Sequence, residues 1–351
     1  MHNIFKGLKV IDLSTVLAGP SVGTFFGELG AHVLKIENVP NGDVTRTWKT
    51  PKEDVSKSVS AYFSSVNYQK EYLKLNLSEE KHYQIFLEHL RDADILLSNF
   101  KKNDYKKLRV DEKTIRLINP KLIIGKITGF GDDSDRIAYD LILQAESGFM
   151  SMNGEANQAP LKIPVALIDV LAAHHLKEGI LLAMLSKEPK TVSVSLYDAA
   201  ICSLMNQASN YLMTGDLPKR QGNLHPNIAP YGELFDTIDG KKITFAIGSN
   251  KHYKLLCKLL EMEDEQNAEE YKTNQLRVQN RAQLQKKIMK KVATFKAPKL
   301  LEECHSRGIP CAQVKKIDEV LKDSKSTPLI RKEFIENQQT FRITSIASKW
   351  K

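Results

Sequence analysis

The sequence predicts an α/β protein whose first 130 residues form an open, doubly wound parallel sheet. Three features carry that expectation: short β-branched runs, helical stretches between them, and glycine-bearing exits from the strands. "LKVIDLS" (8–14) is the first such run, ended by a loop containing Gly19 and Pro20. "SVGTFFGELG" reads as a short helix stopped by Gly30, and "AHVLKIE" (31–37) as a second buried strand. Strand, helix and strand at this spacing make a βαβ unit. "EYLKLNL" (71–77) gives a third strand, and "SEEKHYQIFLEHLRDA" a helix with Ser78 at its N-cap. "DILLSN" (94–99) and "NPKLIIGKITGFG" follow as further strands. In such a sheet ligands bind at the carboxyl ends of the strands.

The pattern then changes. A helix is expected near Asp140–Met152, followed by the loop "NGEANQAP" and a long helix opening at Asp169. "VSVSLYDAAICSLMNQASNYLMTG" runs from a short strand into another long helix, and "DLPKRQGNLHPNIAPYGELF" is the clearest linker. "YGELFDTIDGKKITFAIG" reads as a hairpin turning at Asp239 and Gly240, with helices and the strand "GIPCAQV" after it. The last 35 residues are polar and are expected to wrap back over another part of the protein.

Composition narrows the function classes. With 42% apolar and 26% charged residues the chain is an ordinary globular one, and it contains no apolar run long enough for a membrane span. The start moves straight into a strand, without a signal-peptide pattern. Cys202, Cys257, Cys304 and Cys311 lie scattered without a zinc-type spacing. Free thiols, a cytoplasmic home and no metal site are therefore expected. The net charge of +9 suits either nucleic acid or a small polyanion such as a nucleotide. Much of the lysine is mixed with glutamate on helix-like stretches, and no nucleic-acid-binding motif accompanies it, so no nucleic-acid partner is expected.

The first strand-to-helix turn, "DLSTVLAGPSVG", has the position of a nucleotide loop but lacks G-x-G-x-x-G, which argues against an NAD-type dehydrogenase. Lys35, Asp43 and Arg46 fall near the same sheet edge, where solvated loop charges explain them equally well. "SNF" (98–100) is followed by Lys101, Lys102, Lys106 and Lys107, a cluster suited to a phosphate-bearing ligand or simply to a solvated surface. Asp169 also has two readings. As an N-cap it would stabilise its helix by about 1 kcal/mol. As a nucleophile it would be kept anionic by the helix terminus and could attack an acyl thioester, forming a mixed anhydride. His174 and His175 fall on the wrong faces to assist it and read as packing or surface residues.

Together these segments resemble the class III CoA-transferases, which include formyl-CoA transferase, carnitine CoA-transferase and alpha-methylacyl-CoA racemase. The resemblance runs from residue 6 to about residue 320. It rests on "GLKVIDLSTVLAGP", "LGAHVLKIE", "GDVTR", "ADILLSNF", "ITGFG", "YDLILQAESGFMSMNGE", "LYDAAICSLMNQASNYLMTG", "GNLHPNIAPYGELF" and "GIPCAQV". It implies a Rossmann-like large domain (1–190), a helix and linker (191–225), a smaller α+β domain (226–320) and a C-terminal segment returning to the large domain (321–351). It further implies ring-shaped subunits threaded into an interlocked homodimer.

The implied reaction moves CoA from an acyl-CoA to a free carboxylic acid through a covalent intermediate on Asp169, with the CoA thioester as substrate and no tightly bound cofactor. Thr15, Val16, Leu17 and Ala18 would line the CoA or acyl site; Lys70, Asn99, Phe100 and Lys107 would approach the nucleotide half; Tyr139 would sit near the acyl group. The racemase branch uses a histidine in a G-H-D segment, where this chain has Ala138-Tyr139-Asp140, so transferase is the better reading. Leu17 replaces the glutamine of formyl-CoA transferase, which argues for a moderately apolar acid over oxalate or formate. Asn38 and "NFKKNDYKKL" depart from the family's usual nucleotide contacts, and the glycine-rich loop that covers some members' sites is absent.

Overall fold

The computed structural model describes residues 3–349, which divide into two compact units. Among the described residues the larger comprises 3–151, 161–218 and 324–349; the smaller comprises 152–160 and 219–323.

The larger unit is built on six parallel strands: β1 (Lys9–Asp12), β2 (His32–Glu37), β3 (Glu71–Lys74), β4 (Ile95–Ser98), β5 (Ile123–Thr128) and β6 (Thr191–Ser195). Their spatial order is β3-β2-β1-β4-β5-β6, so the winding reverses between β1 and β4. The helices are α1 (Ala18–Glu28), α2 (Ala61–Val66), α3 (Glu80–Arg91), α4 (Lys102–Lys107), α5 (Glu112–Ile118), α6 (Asp140–Glu146), α7 (Phe149–Met152), α8 (Leu167–Ser186), α9 (Leu196–Cys202) and α10 (Met205–Thr214).

One core packs α1, α8 and α9 on the sheet through Val22, Phe26, Ile168, Leu176 and Ile180. A second core packs α3 and α5 on the opposite face through Tyr83, Phe86, Leu90 and Ile115. With both faces covered, a central strand reads as unbroken apolar sequence, and all four residues of β4 are buried.

The smaller unit holds the antiparallel strands β7 (Tyr231–Asp236), β8 (Lys242–Ala246) and β9 (Cys311–Gln313). Its helices are α11 (Asn250–Leu259), α12 (Glu263–Asn267), α13 (Asn274–Gln279), α14 (Arg281–Val292), α15 (Ala297–Ser306) and α16 (Ile317–Leu321). The turn at Asp239 and Gly240 forms as expected, with Gly240 in the left-handed region at φ +70°. Phe235, Phe245, Leu256, Ile288 and Leu300 fill this unit's own core.

The chain closes with the hairpin β10 (Ile330–Ile335) and β11 (Gln338–Ile343) in the larger unit. Glu336 at its tip pairs with the Arg46 guanidinium at 3.0 Å, and Arg46 also pairs with Glu37 at 2.7 Å. Glu28 on α1 accepts from Ser345 and Tyr68.

Two helix boundaries differ from the sequence reading. Glu79 rather than Ser78 precedes α3: residues 76–79 form a turn closed by the Glu79 amide on the Asn76 carbonyl at 2.9 Å, and the first helical bond runs from the Tyr83 amide to the Glu79 carbonyl. The long helix expected after β6 breaks into α9 and α10, with Met205 at φ +45° at the joint. No helix among the described residues is long and apolar enough to cross a membrane.

Close approach of α1 to its neighbours requires glycine. A Cβ on Gly23 would stand 2.9 Å from Asp12 Oδ2, and one on Gly27 would stand 2.5 Å from the Gln69 carbonyl oxygen. The backbone at Gln69 cannot yield as a side-chain tip would. Gly27→Ala is therefore expected to lower unfolding free energy by about 1–3 kcal/mol, outweighing the roughly 1 kcal/mol gain in helix propensity. Urea unfolding checks this, and an unchanged or raised midpoint would contradict the packing described.

Candidate active site

The loop after β1 and the end of β4 meet where the sheet reverses. Nearly every backbone group of residues 14–16 is held there by a side chain. The Ser14 amide donates to Asp12 Oδ1 at 2.9 Å, and the Ser14 carbonyl accepts from Lys35 Nζ at 2.7 Å. Asn99 takes both Thr15 groups: its Oδ1 accepts from the Thr15 amide at 3.0 Å and its Nδ2 donates to the carbonyl at 2.9 Å. The Val16 amide donates to the Asp43 carboxylate at 3.2 and 3.4 Å.

Buried ion pairs stand behind this loop. Lys35 and Asp43 meet at 3.2 Å, and Lys70 and Asp12 at 2.8 Å, with all four side chains fully buried. Burial pulls the Lys70 ammonium down to about 8 against the raising effect of Asp12. Burial also acts to raise Asp12, but Lys70 and Lys35 together hold it below the usual carboxylate range.

A cavity of about 440 Å³ opens at this crevice, lined by Thr15, Val16, Asn99, Phe100 and Tyr139 among others. Its wall also carries Lys101, Lys102, Lys106, Lys126 and Arg136, with Asp104, Asp111, Glu112 and Asp132 as the acidic members. Lys126 pairs with Asp132 at 3.1 Å, and the Arg136 guanidinium lies 4.3 Å from the Phe130 ring centre. Lys101 and Lys106 have no ion pair among the described residues, which leaves them available to an anionic ligand.

Of the residues singled out in the sequence, Thr15, Val16, Asn99, Phe100 and Tyr139 come together on this wall. Leu17, at the N-cap of α1, and the buried Ala18 lie beside them in the chain but outside the lining. Lys107 ends α4 on an exposed position, while its neighbour Lys106 faces the cavity. The Lys70 ammonium is spent internally on Asp12, the Pro20 carbonyl and Asn67.

Asp169 is not a helix cap. Ala166 occupies the N-cap of α8, and Asp169 is the third helical residue, only 7% exposed, without a hydrogen-bond donor facing it among the described residues. The orphan amide of Ile168 is satisfied instead by Asp140 Oδ1 from α6 at 2.7 Å. Gln144, fully buried, braces the approach to the helix by accepting from the Ile163 amide at 2.7 Å and donating to Asp140 Oδ2 at 2.6 Å. The helix terminus therefore does not keep Asp169 well ionised: burial, aided by the negative charge of Asp140, pushes its carboxyl up to about 7. Burial and the charges of Asp169, Asp140 and Asp43 raise the nearby Tyr62 phenol to about 12. Tyr62, Asp140 and the Asp43 that holds Val16 thus share one electrostatic neighbourhood with Asp169.

Lys126, Arg136 and the capping role of Asp140 were not singled out from the sequence. A lysine near a strand exit in "IIGKITGFG" was the one available signal; the Asp140–Ile168 contact spans 28 residues and left none.

Residues 5–339 match the model of CoA-transferase family III. The succinate–glutarate CoA-transferase of Agrobacterium fabrum is 34% identical, over 91% of this chain and 82% of its own length. The human succinyl-CoA:glutarate CoA-transferase is 32% identical, over 91% of this chain and 74% of its own length. The crystal structure of a CAIB/BAIF family protein from Brucella suis superposes with a TM-score of 0.85 at 32% identity, covering 100% of this chain and 93% of that one. This chain belongs to CoA-transferase family III and is an enzyme that transfers CoA.

The raised pKa of Asp169 has a stability consequence. Between about pH 4 and pH 7 the folded protein holds a proton at Asp169 that the unfolded chain has released, so stability falls as pH rises through that window. Asp169→Asn is expected to be stabilising on the order of 3 kcal/mol at pH 8 and nearly neutral at pH 4. Chemical denaturation at the two pH values reads the difference, and a pH-independent effect would refute the burial argument.

Proposed function

We propose that this enzyme moves CoA between short dicarboxylic acids, with Asp169 as the covalent nucleophile. The observation that carries the reading is a buried carboxylate, in the first turn of α8 of a family III chain, that no described residue engages by a hydrogen bond. Such a group is costly to keep and has its lone pairs free for attack. The choice of acid follows the relatives, which are named for succinate and glutarate, in place of the more apolar acid that Leu17 alone suggests.

In the proposed course the Asp169 carboxylate attacks the thioester carbonyl of succinyl-CoA, giving an aspartyl–succinyl anhydride and the CoA thiolate. The thiolate then attacks the aspartyl carbonyl, releasing succinate and leaving an Asp169–CoA thioester. The acceptor carboxylate displaces the thiolate to form a new anhydride, and thiolate attack on the acceptor's acyl carbon yields product and restores Asp169. A carboxylate with a pKa near 7 is a stronger nucleophile once ionised than an ordinary aspartate.

Thr15, Val16, Asn99, Phe100 and Tyr139 shape the wall that would receive the thioester, and Lys101 and Lys106, without ion pairs among the described residues, would meet the phosphates of CoA, while Lys102 and Arg136 are held by Asp133 and Glu146. Asn99 acts by fixing Thr15, since both ends of its amide are engaged. A second copy of the chain, interlocked with the first, covers the surface around α10. That helix buries none of its residues and leaves Leu212 and Met213 exposed at 79% and 84%. The reading places the dimer in the cytoplasm.

Incubation with succinyl-CoA, followed by hydroxylamine or borohydride treatment and intact-protein mass spectrometry, is expected to map an adduct to Asp169 that disappears in Asp169→Ala. Measurable CoA binding with no adduct would overturn the covalent route. The pH profile of kcat/KM is expected to rise through an apparent pKa near 7. In Asp140→Asn, which keeps an acceptor for the Ile168 amide but removes the neighbouring charge, that midpoint is expected to move to lower pH.

A further inference from the structure

Val16 is the one β-branched residue among the described residues with a positive φ, at +73°. A branched Cβ makes the left-handed region costly, and such a residue stays there only when its surroundings force it. It lies on the cavity wall, one residue before the N-cap of α1. Its amide meets a single partner, the Asp43 carboxylate.

That carboxylate is itself fully constrained. Its Oδ1 accepts from the Thr45 amide at 3.0 Å and the Thr45 hydroxyl at 2.7 Å, and its Oδ2 pairs with Lys35 at 3.2 Å. The Asp43 amide donates to Glu37 Oε1 at 3.0 Å, and Glu37 is locked by Arg46. Asp43 and Lys35 are both completely buried, so neither can rotate away into solvent.

We propose that Asp43 is a positioning residue that holds Val16 in its strained left-handed conformation and so sets the wall against which the acyl-CoA binds. It touches no substrate. Its role is to keep Thr15 and Val16 turned toward the cavity when the backbone, released, would relax to negative φ. The catalytic part of this inference rests on the proposed succinyl-CoA reading; the conformational part does not.

A double-mutant cycle between Asp43 and Val16 tests it. Glycine adopts positive φ without strain, so Val16→Gly makes the hold of Asp43 unnecessary. Asp43→Ala is expected to lower kcat/KM for succinyl-CoA at least tenfold in the wild-type background. In the Val16→Gly background the same change is expected to cost less than threefold, measured against that background. Equal losses in the two backgrounds would overturn the proposal, because a residue that merely supports the fold has no reason to be relieved at Val16.

The same cycle read by urea unfolding is expected to show a smaller destabilisation in the glycine background. Should the wild-type protein transfer no CoA from succinyl-CoA, the proposed substrate reading fails and the unfolding cycle alone decides this proposal. Should Asp43→Ala not fold, with Lys35 left buried and unpaired, Asp43→Leu combined with Lys35→Met, which removes both buried charges and every acceptor for the Val16 amide, replaces it in both backgrounds with the same two outcomes.

Discussion

The ion pairs sealed beneath the first strand-to-helix turn, Lys35 with Asp43 and Lys70 with Asp12, are the constraint on which the site depends. Burying four charges is expensive, and only mutual pairing plus hydrogen bonds to the loop backbone offsets the loss of water. The arrangement gives a loop with little freedom. Ser14, Thr15 and Val16 are each tied by a different side chain, from β1, β2, the segment after β2 and the end of β4. Where dinucleotide-binding proteins of similar sheet order use glycines in this turn, this chain uses charged side chains from neighbouring strands.

Asp169 illustrates the opposite economy. The fold has a carboxylate, Asp140, that satisfies the open end of α8, and it places a second one immediately beside it with nothing to bind. Stability would be better served by an amide or an apolar residue there. A carboxylate so placed, in the first turn of the 20-residue α8, costs stability, which is what the proposed nucleophile would require.

Much of this was legible in the sequence, for physical reasons. Strands covered on both faces read as continuous apolar runs, so "DILLSN" and "AHVLKIE" announce themselves, and Asp239-Gly240 demands its turn. What was illegible is what depends on partners distant in the chain. Lys70 looks like any lysine beside a strand until Asp12 and the Pro20 carbonyl close around it. The N-cap reading of Asp169 failed because the true cap comes from α6, and the ionisation state failed with it, since both burial and Asp140 oppose the helix terminus. Asn99 lines the cavity, but its engagement with both Thr15 backbone groups spans 84 residues and is visible only in three dimensions.

The closing hairpin bears on how the chain can be made. Arg46 is translated early, yet one of the two carboxylates that flank its guanidinium belongs to Glu336, nearly three hundred residues later. Glu28 likewise waits for Ser345. A ribosome emitting this chain from its N-terminus releases the whole smaller unit, through Asp323, before the larger one can be finished. Until Glu336 has been made, Arg46 therefore has Glu37 as its one carboxylate partner among the described residues.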